Sequence, residues 1–255
     1  MTSPGLVRVV LDRPARANAL DSDTVERLHA DLADADASGA VVVVLEARGA
    51  TFCSGLDLSN LRAETDATLL HRLVRVHLLL ERIRDSPALV VALVQGPAVG
   101  AGADIVLAAH VRMALPGASL RFPGAGFGAV LGTSRLAAET SPSFAAELAL
   151  TGRHVDHDEA VLRGIWRPVG TTDEAEVEIS RLAESAARLP GPTGVRLRAE
   201  ADGTKSHDAL GGLVRSLAGE PGLADRVRRY RERGVPRTAA RRQALPVRPQ
   251  QGAPA

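Results

Sequence analysis

The feature that most constrains this chain is a pair of short β-branched apolar runs, residues 40–45 (AVVVVL) and 88–94 (ALVVALV), each running on into a glycine turn. Such a run is too short for a helix standing alone and too apolar for a strand with one wet face, so it reads as a strand buried on both faces. Leu6–Leu11 reads as a third strand, broken by Asp12-Arg13-Pro14. Helical apolar spacing fills the intervals, over 19–32 behind the candidate caps Asp21, Ser22 and Asp23, over 58–84, and over 103–108. Strand and helix alternate, which predicts an α/β domain with largely parallel pairing and its site in the loops at the strand ends.

The composition narrows the function classes. Thirty-one Lys+Arg against 30 Asp+Glu leave a net charge of +1, which argues against a nucleic acid or an anionic membrane as partner. At 45% hydrophobic and 24% charged the chain can bury a large core, and with 2% aromatics that core must be Val, Leu and Ala. The single Cys53 forbids an intrachain disulfide and fits a reducing compartment, while the N-terminus carries no basic-then-apolar leader pattern. A cytoplasmic protein is expected. From Ser134 the periods are mostly helical, and the tail from Gly234 is basic, free of acidic residues and expected to be disordered. The division expected is a core over 1–190, a helical region over 191–235 and a tail over 236–255.

The chemistry sits in the two glycine turns, TFCSGLDL (51–58) and GPAVGAGAD (96–104). A backbone that turns sharply into a helix leaves unpaired N–H groups pointing outward, and glycine lets a ligand atom come close. Two such turns could aim one N–H each at a single oxygen, the geometry that stabilises an oxyanion or enolate. A nucleotide-binding reading of GAGADI fails, because Ile105 stands where a third glycine belongs and no Lys-Ser/Thr pair follows.

Over roughly residues 6–170 the chain resembles the crotonase, or enoyl-CoA hydratase/isomerase, superfamily. LDRPARANAL (11–20) is similar to the family's N-R-P-x-x-x-N-A-L, with Asp12 for Asn. FCSGLDL (52–58) resembles F-C-A-G-A-D-L, and QGPAVGAGADIVLAAHVRMA (95–114) resembles the family's second glycine segment. GTSRL (132–136) and LTGRHVDHDEAVLRGIW (150–166) follow in the family order. The resemblance implies a ββα spiral core with a C-terminal helical trimerisation region, an acyl-CoA thioester as substrate, no cofactor beyond that coenzyme A, and a homotrimer or hexamer. It further implies that the amides of Leu56 and Ala101 hold the thioester oxygen. Arg13, Arg16, Asn18, Ala19, Gly55, Asp57, Gly100 and Gly124 would lie along the CoA and acyl groups.

The acid/base side departs from that pattern. Family hydratases use two glutamates; the first maps to Asp104, about 1.5 Å shorter in reach, and the second to Gly124 in a loop that is also short. Asp104 is therefore the expected acid/base, against the plainer reading that it only caps a helix start. His71, His77 and Glu64 on the 58–84 helix are the candidate substitutes for the missing carboxylate. The reactions left open are a lyase or isomerase, a decarboxylase or hydrolase, and a catalytically silent CoA-binding or scaffold paralogue. Cys53 reads as a small buried residue, His110 as a positive ring at a helix end, and His154 and His157 as solvated groups around a cap rather than metal ligands.

Overall fold

The computed structural model describes residues 5–189, 214, 217–218 and 221–232. Strands β1 (Leu6–Leu11), β2 (Val42–Ala47) and β3 (Leu89–Val94) lie where the apolar runs predict them. With β5 (Val111–Ala114) and β8 (Arg167–Pro168) they form one parallel sheet in the order β1-β2-β3-β5-β8. The runs are apolar throughout because each face is covered. Val43, Leu45, Val90, Ala92 and Val94 enter the larger core with α1 (Ser22–Ala37), α2 (Asp66–Asp85) and α3 (Ala101–Ala108). Val42, Val44, Val91, Leu93 and Met113 face the other way, against Ala175, Ile179 and Ala183 of α7 (Thr172–Ala187).

A second, smaller sheet carries the site. It consists of β4 (Pro97–Val99), β6 (Ser119–Arg121) and β7 (His154–Val155), in that order. After β6 a 3-10 turn over Pro123–Phe127 leads to α4 (Thr133–Glu139) and α5 (Pro142–Thr151), with α6 (His157–Leu162) following β7. Helix α8 (Leu223–Glu232) lies back on the same chain, where Leu223, Ala224 and Val227 cluster with Leu61, Leu69 and Leu73. The tail over 236–255 and most of 191–235 lie outside the described residues.

Three local readings need correction. The helix expected over 58–84 begins only at Asp66, because Thr65 and Thr68 form a reciprocal capping box there, and residues Leu61–Ala63 make a separate 3-10 turn. The helix expected from 103 begins at Ala101, immediately after the Gly100 turn. His110 is not a positive ring at a helix end. Its Nδ1 accepts from the Val90 amide at 2.9 Å and its Nε2 faces the Arg84 carbonyl at 2.9 Å, a pattern that only a neutral imidazole satisfies.

Asn18 explains how the first loop is held. It sits in the left-handed region at φ +53, which asparagine tolerates. Its Oδ1 accepts from Arg13 N, and its Nδ2 donates to the carbonyls of Arg48 and Thr51. The side chain is 1% exposed, so it ties the loop after β1 to the loop after β2. Asn18→Ala should therefore destabilise the fold by about 2–4 kcal/mol, since it leaves buried backbone groups unpaired. Urea denaturation at neutral pH checks this, and a loss under about 0.5 kcal/mol would contradict the role.

Candidate active site

The two glycine turns dock backbone to backbone. Cys53 and Ala98 form an isolated parallel bridge, with Val99 N donating to Cys53 O at 2.8 Å and Phe52 N to Pro97 O at 3.0 Å. This closeness needs glycine at two points. A Cβ on Gly102 would stand 2.4 Å from Cys53 O, and one on Gly55, at φ +87, would stand 2.7 Å from Val99 O and 3.5 Å from Ala101 N. Gly55 O accepts from Leu20 N and Asp57 N donates to Leu20 O, so the Leu56 amide between them faces away from that partner. Neither the Leu56 nor the Ala101 amide has an acceptor among the described residues, and both residues line one cavity of about 260 Å³.

Asp104 lies one helical turn below Ala101 and lines the same cavity. It caps nothing: Gly100 is the cap residue of α3, no side chain bonds there, and Oδ1 of Asp104 has no partner among the described residues. At 4% exposure, burial pushes the Asp104 carboxyl up to about 7, with the Arg135 guanidinium pulling the other way. Arg135 is spent on Glu81 of α2, to which it is ion-paired. Gly132 opens α4 without a side chain for a reason visible here, because a Cβ at that position would lie 1.7 Å from Asp104 Oδ1. A carboxyl half-ionised near neutrality, in an otherwise apolar cavity, can both take and return a proton.

Gly55, Gly100 and Gly124 also line the cavity. No other carboxylate does so among the described residues, and a Cβ at Gly124 would meet Ala129 O at 3.2 Å, a tight contact. The substitutes expected from α2 are elsewhere. Glu64 lies before the helix and pairs with Arg72 at 2.6 Å, and His71 is exposed beside Arg72, Ser22 and Thr68. His77 is buried near Glu81, with its Nδ1 unpartnered among the described residues, and burial lowers its affinity for a proton. None of the three reaches the cavity wall.

The loop expected along the CoA is mostly occupied with itself. Arg13 donates to Ala19 O at 2.6 Å and pairs with Asp21 and Asp57, Asp57 also accepts from Ser59 N, and Arg16 stands exposed. Ala19 is buried. Cys53 is fully buried, and burial pushes its thiol up to about 12, which leaves it inert. Among the described residues no group of three or more His, Cys, Asp or Glu side chains is placed to hold a metal ion. Sequence reasoning missed the Arg135–Glu81 pair and Arg121, whose side chain lines the cavity from β6. Neither has a local signal, because the meaning of each comes only from where β6 and α4 are placed.

The family model described as enoyl-CoA hydratase/isomerase matches residues 2–201. The Mycobacterium tuberculosis protein named "Probable enoyl-CoA hydratase echA6" is 31% identical over 187 residues, covering 71% of this chain and 75% of its own. The human "Enoyl-CoA hydratase domain-containing protein 3, mitochondrial" is 31% identical over 195 residues, covering 74% and 63%. A solved structure from Bordetella parapertussis, whose name offers it as an enoyl-CoA hydratase/isomerase, superposes with a TM-score of 0.85. It is 32% identical and covers 90% of this chain and 96% of its own. Among the described residues no helix is long and apolar enough to cross a membrane.

The elevated Asp104 makes a prediction about stability. Between an unfolded value of 3.8 and a folded value of about 7 the native state holds a proton that the unfolded chain has lost, so stability falls as pH rises through that window. Asp104→Asn, close in shape and uncharged, removes the penalty. Its stability relative to wild type should rise by about 4 kcal/mol from pH 4 to pH 8. Urea titrations at both pH values check this, and a difference that does not change with pH would contradict the buried, reluctant carboxyl.

Proposed function

The chain belongs to the enoyl-CoA hydratase/isomerase family, and from that premise we propose that it is an acyl-CoA thioester enzyme that works through an enolate with Asp104 as its one acid/base. The observation that carries this reading is the pair of unpaired amides, Leu56 and Ala101, on the wall that Asp104 also lines. A thioester oxygen between those amides gains charge as the α-carbon loses its proton, and donors fixed in a mainly apolar wall need no reorganisation to meet it. Helix α3 adds its N-terminal partial positive charge from the same side.

The single carboxyl selects the chemistry. Two-carboxylate hydration asks for a second positioned group, and at its place stands Gly124. A 1,3 proton shift asks for one. Asp104 removes a proton from the acyl chain, the electron pair moves onto the thioester oxygen as a dienolate, and the same carboxyl returns the proton to a different carbon. Atoms and charge balance without a cofactor beyond the CoA of the substrate. Large exposed aliphatic side chains, Leu150 of α5 and Leu162 of α6 among them, support subunit contacts of the kind a homotrimer or hexamer needs.

The direct test reads enolisation itself. Butyryl-CoA in D₂O should gain deuterium at its α-carbon when the protein is added, with a rate that rises with pH through about 7 as the base ionises. Asp104→Ala should lower that rate by about 10²- to 10⁴-fold. Exchange untouched by the substitution would remove Asp104 from the mechanism, and a wild-type protein that binds butyryl-CoA without exchange would favour the silent paralogue.

A further inference from the structure

We propose that the acyl group this site takes carries a second carboxylate, remote from the thioester, and that Arg121 recognises it. The inference rests on the acyl-CoA reading above and specifies its substrate class. Arg121 is the last residue of β6, paired in register with Val99 of β4, and its carbonyl accepts from the Gly100 amide at 2.8 Å. Its backbone therefore helps set the turn that presents Ala101, while its side chain lines the cavity. The guanidinium is anchored at one point, Nε donating to Gly152 O at 2.6 Å at the end of α5. Its two terminal nitrogens have no hydrogen bond and no carboxylate partner among the described residues.

Those two nitrogens stand open to a ligand. The rest of the wall is mainly apolar, including Leu56, Leu73, Phe122, Phe127, Leu131 and Leu136. A guanidinium fork matches a carboxylate with two parallel hydrogen bonds, and beside apolar walls such a pair is held more firmly than in open water. Among the described residues no carboxylate pairs with Arg121, and none but Asp104 lines the cavity. Arg135, not Arg121, is the cation that acts on Asp104. Position 124, where a glutamate would place a negative charge three residues from Arg121, is glycine. The cavity wall thus carries a positive charge with no carboxylate partner among the described residues, which a dicarboxylic acyl chain would neutralise.

The phosphates of coenzyme A are the other anions that could meet Arg121, and matched thioesters separate the two sources because they share those phosphates. Calorimetric titration would compare succinyl-CoA with butyryl-CoA, and glutaryl-CoA with valeryl-CoA, each pair equal in carbon number. Wild type should bind the dicarboxylic member at least about tenfold more tightly in at least one pair, as a charge-assisted pair of hydrogen bonds warrants. Arg121→Gln should bring that ratio to about one, and Arg121→Lys should keep part of it. A wild-type ratio near one in both pairs, or a ratio that survives Arg121→Gln, overturns the proposal and leaves the acyl-CoA reading intact. If Arg121→Gln does not fold, the wild-type ratio and that of Arg121→Lys decide. Failure of wild type to bind any of the four thioesters would instead overturn the acyl-CoA reading itself.

Discussion

The structure depends on one close contact, the backbone of the turn after β2 lying against the backbone of the turn after β3. Side chains normally keep two such segments apart. Here Gly55 and Gly102 remove the Cβ atoms that would strike Val99 O and Cys53 O, and the Cys53–Ala98 bridge locks the approach. The amides of Leu56 and Ala101 are then brought to one wall with no acceptor among the described residues. The parallel sheet beneath, apolar on both faces, holds the two turns at this distance through chain segments that cannot slip without exposing a valine layer.

The same packing buries Asp104 and lines the cavity mainly with apolar groups, and this low polarity does two things. It strengthens the field of the unpaired amides and of the α3 N-terminus, and it raises the proton affinity of Asp104 until the carboxyl can work in both directions near neutral pH. Arg135 restrains that rise and is itself restrained by Glu81, so the acid/base is tuned from α2, which gives the cavity wall the apolar Leu73. Gly132 completes the arrangement by leaving the volume into which the Asp104 carboxylate projects.

Much of this was legible in the sequence. The buried strands, the paired glycine turns and Asp104 were readable because each depends on local pattern: β-branched runs, turn chemistry, and a carboxylate one turn into a helix. What escaped the sequence depends on neighbours distant along the chain. Arg13 looks like a phosphate ligand until Ala19, Asp21 and Asp57 fold around it, and Asn18 looks like a ligand contact until it is seen tying two loops together. His71 and His77 share a helix that lies near the site, yet helical phase turns them away from it, and helix spacing read without its Thr65 cap misplaces that phase; Glu64 falls before the helix and is held by Arg72. Arg121 drew no notice because one arginine in a short strand has no signature. Its meaning comes from an apolar wall assembled by β4, the 123–127 turn and α4.

The central claim is that two main-chain amides converge on one thioester carbonyl. Difference infrared spectroscopy of the protein with butyryl-CoA, carrying ¹³C at the thioester carbonyl, tests it most directly. Two donors on the oxygen predict a carbonyl band displaced to lower frequency than in water and narrowed by the fixed site, in wild type and in Asp104→Asn alike. A band at the aqueous position and width in a complex shown to be saturated would contradict the account.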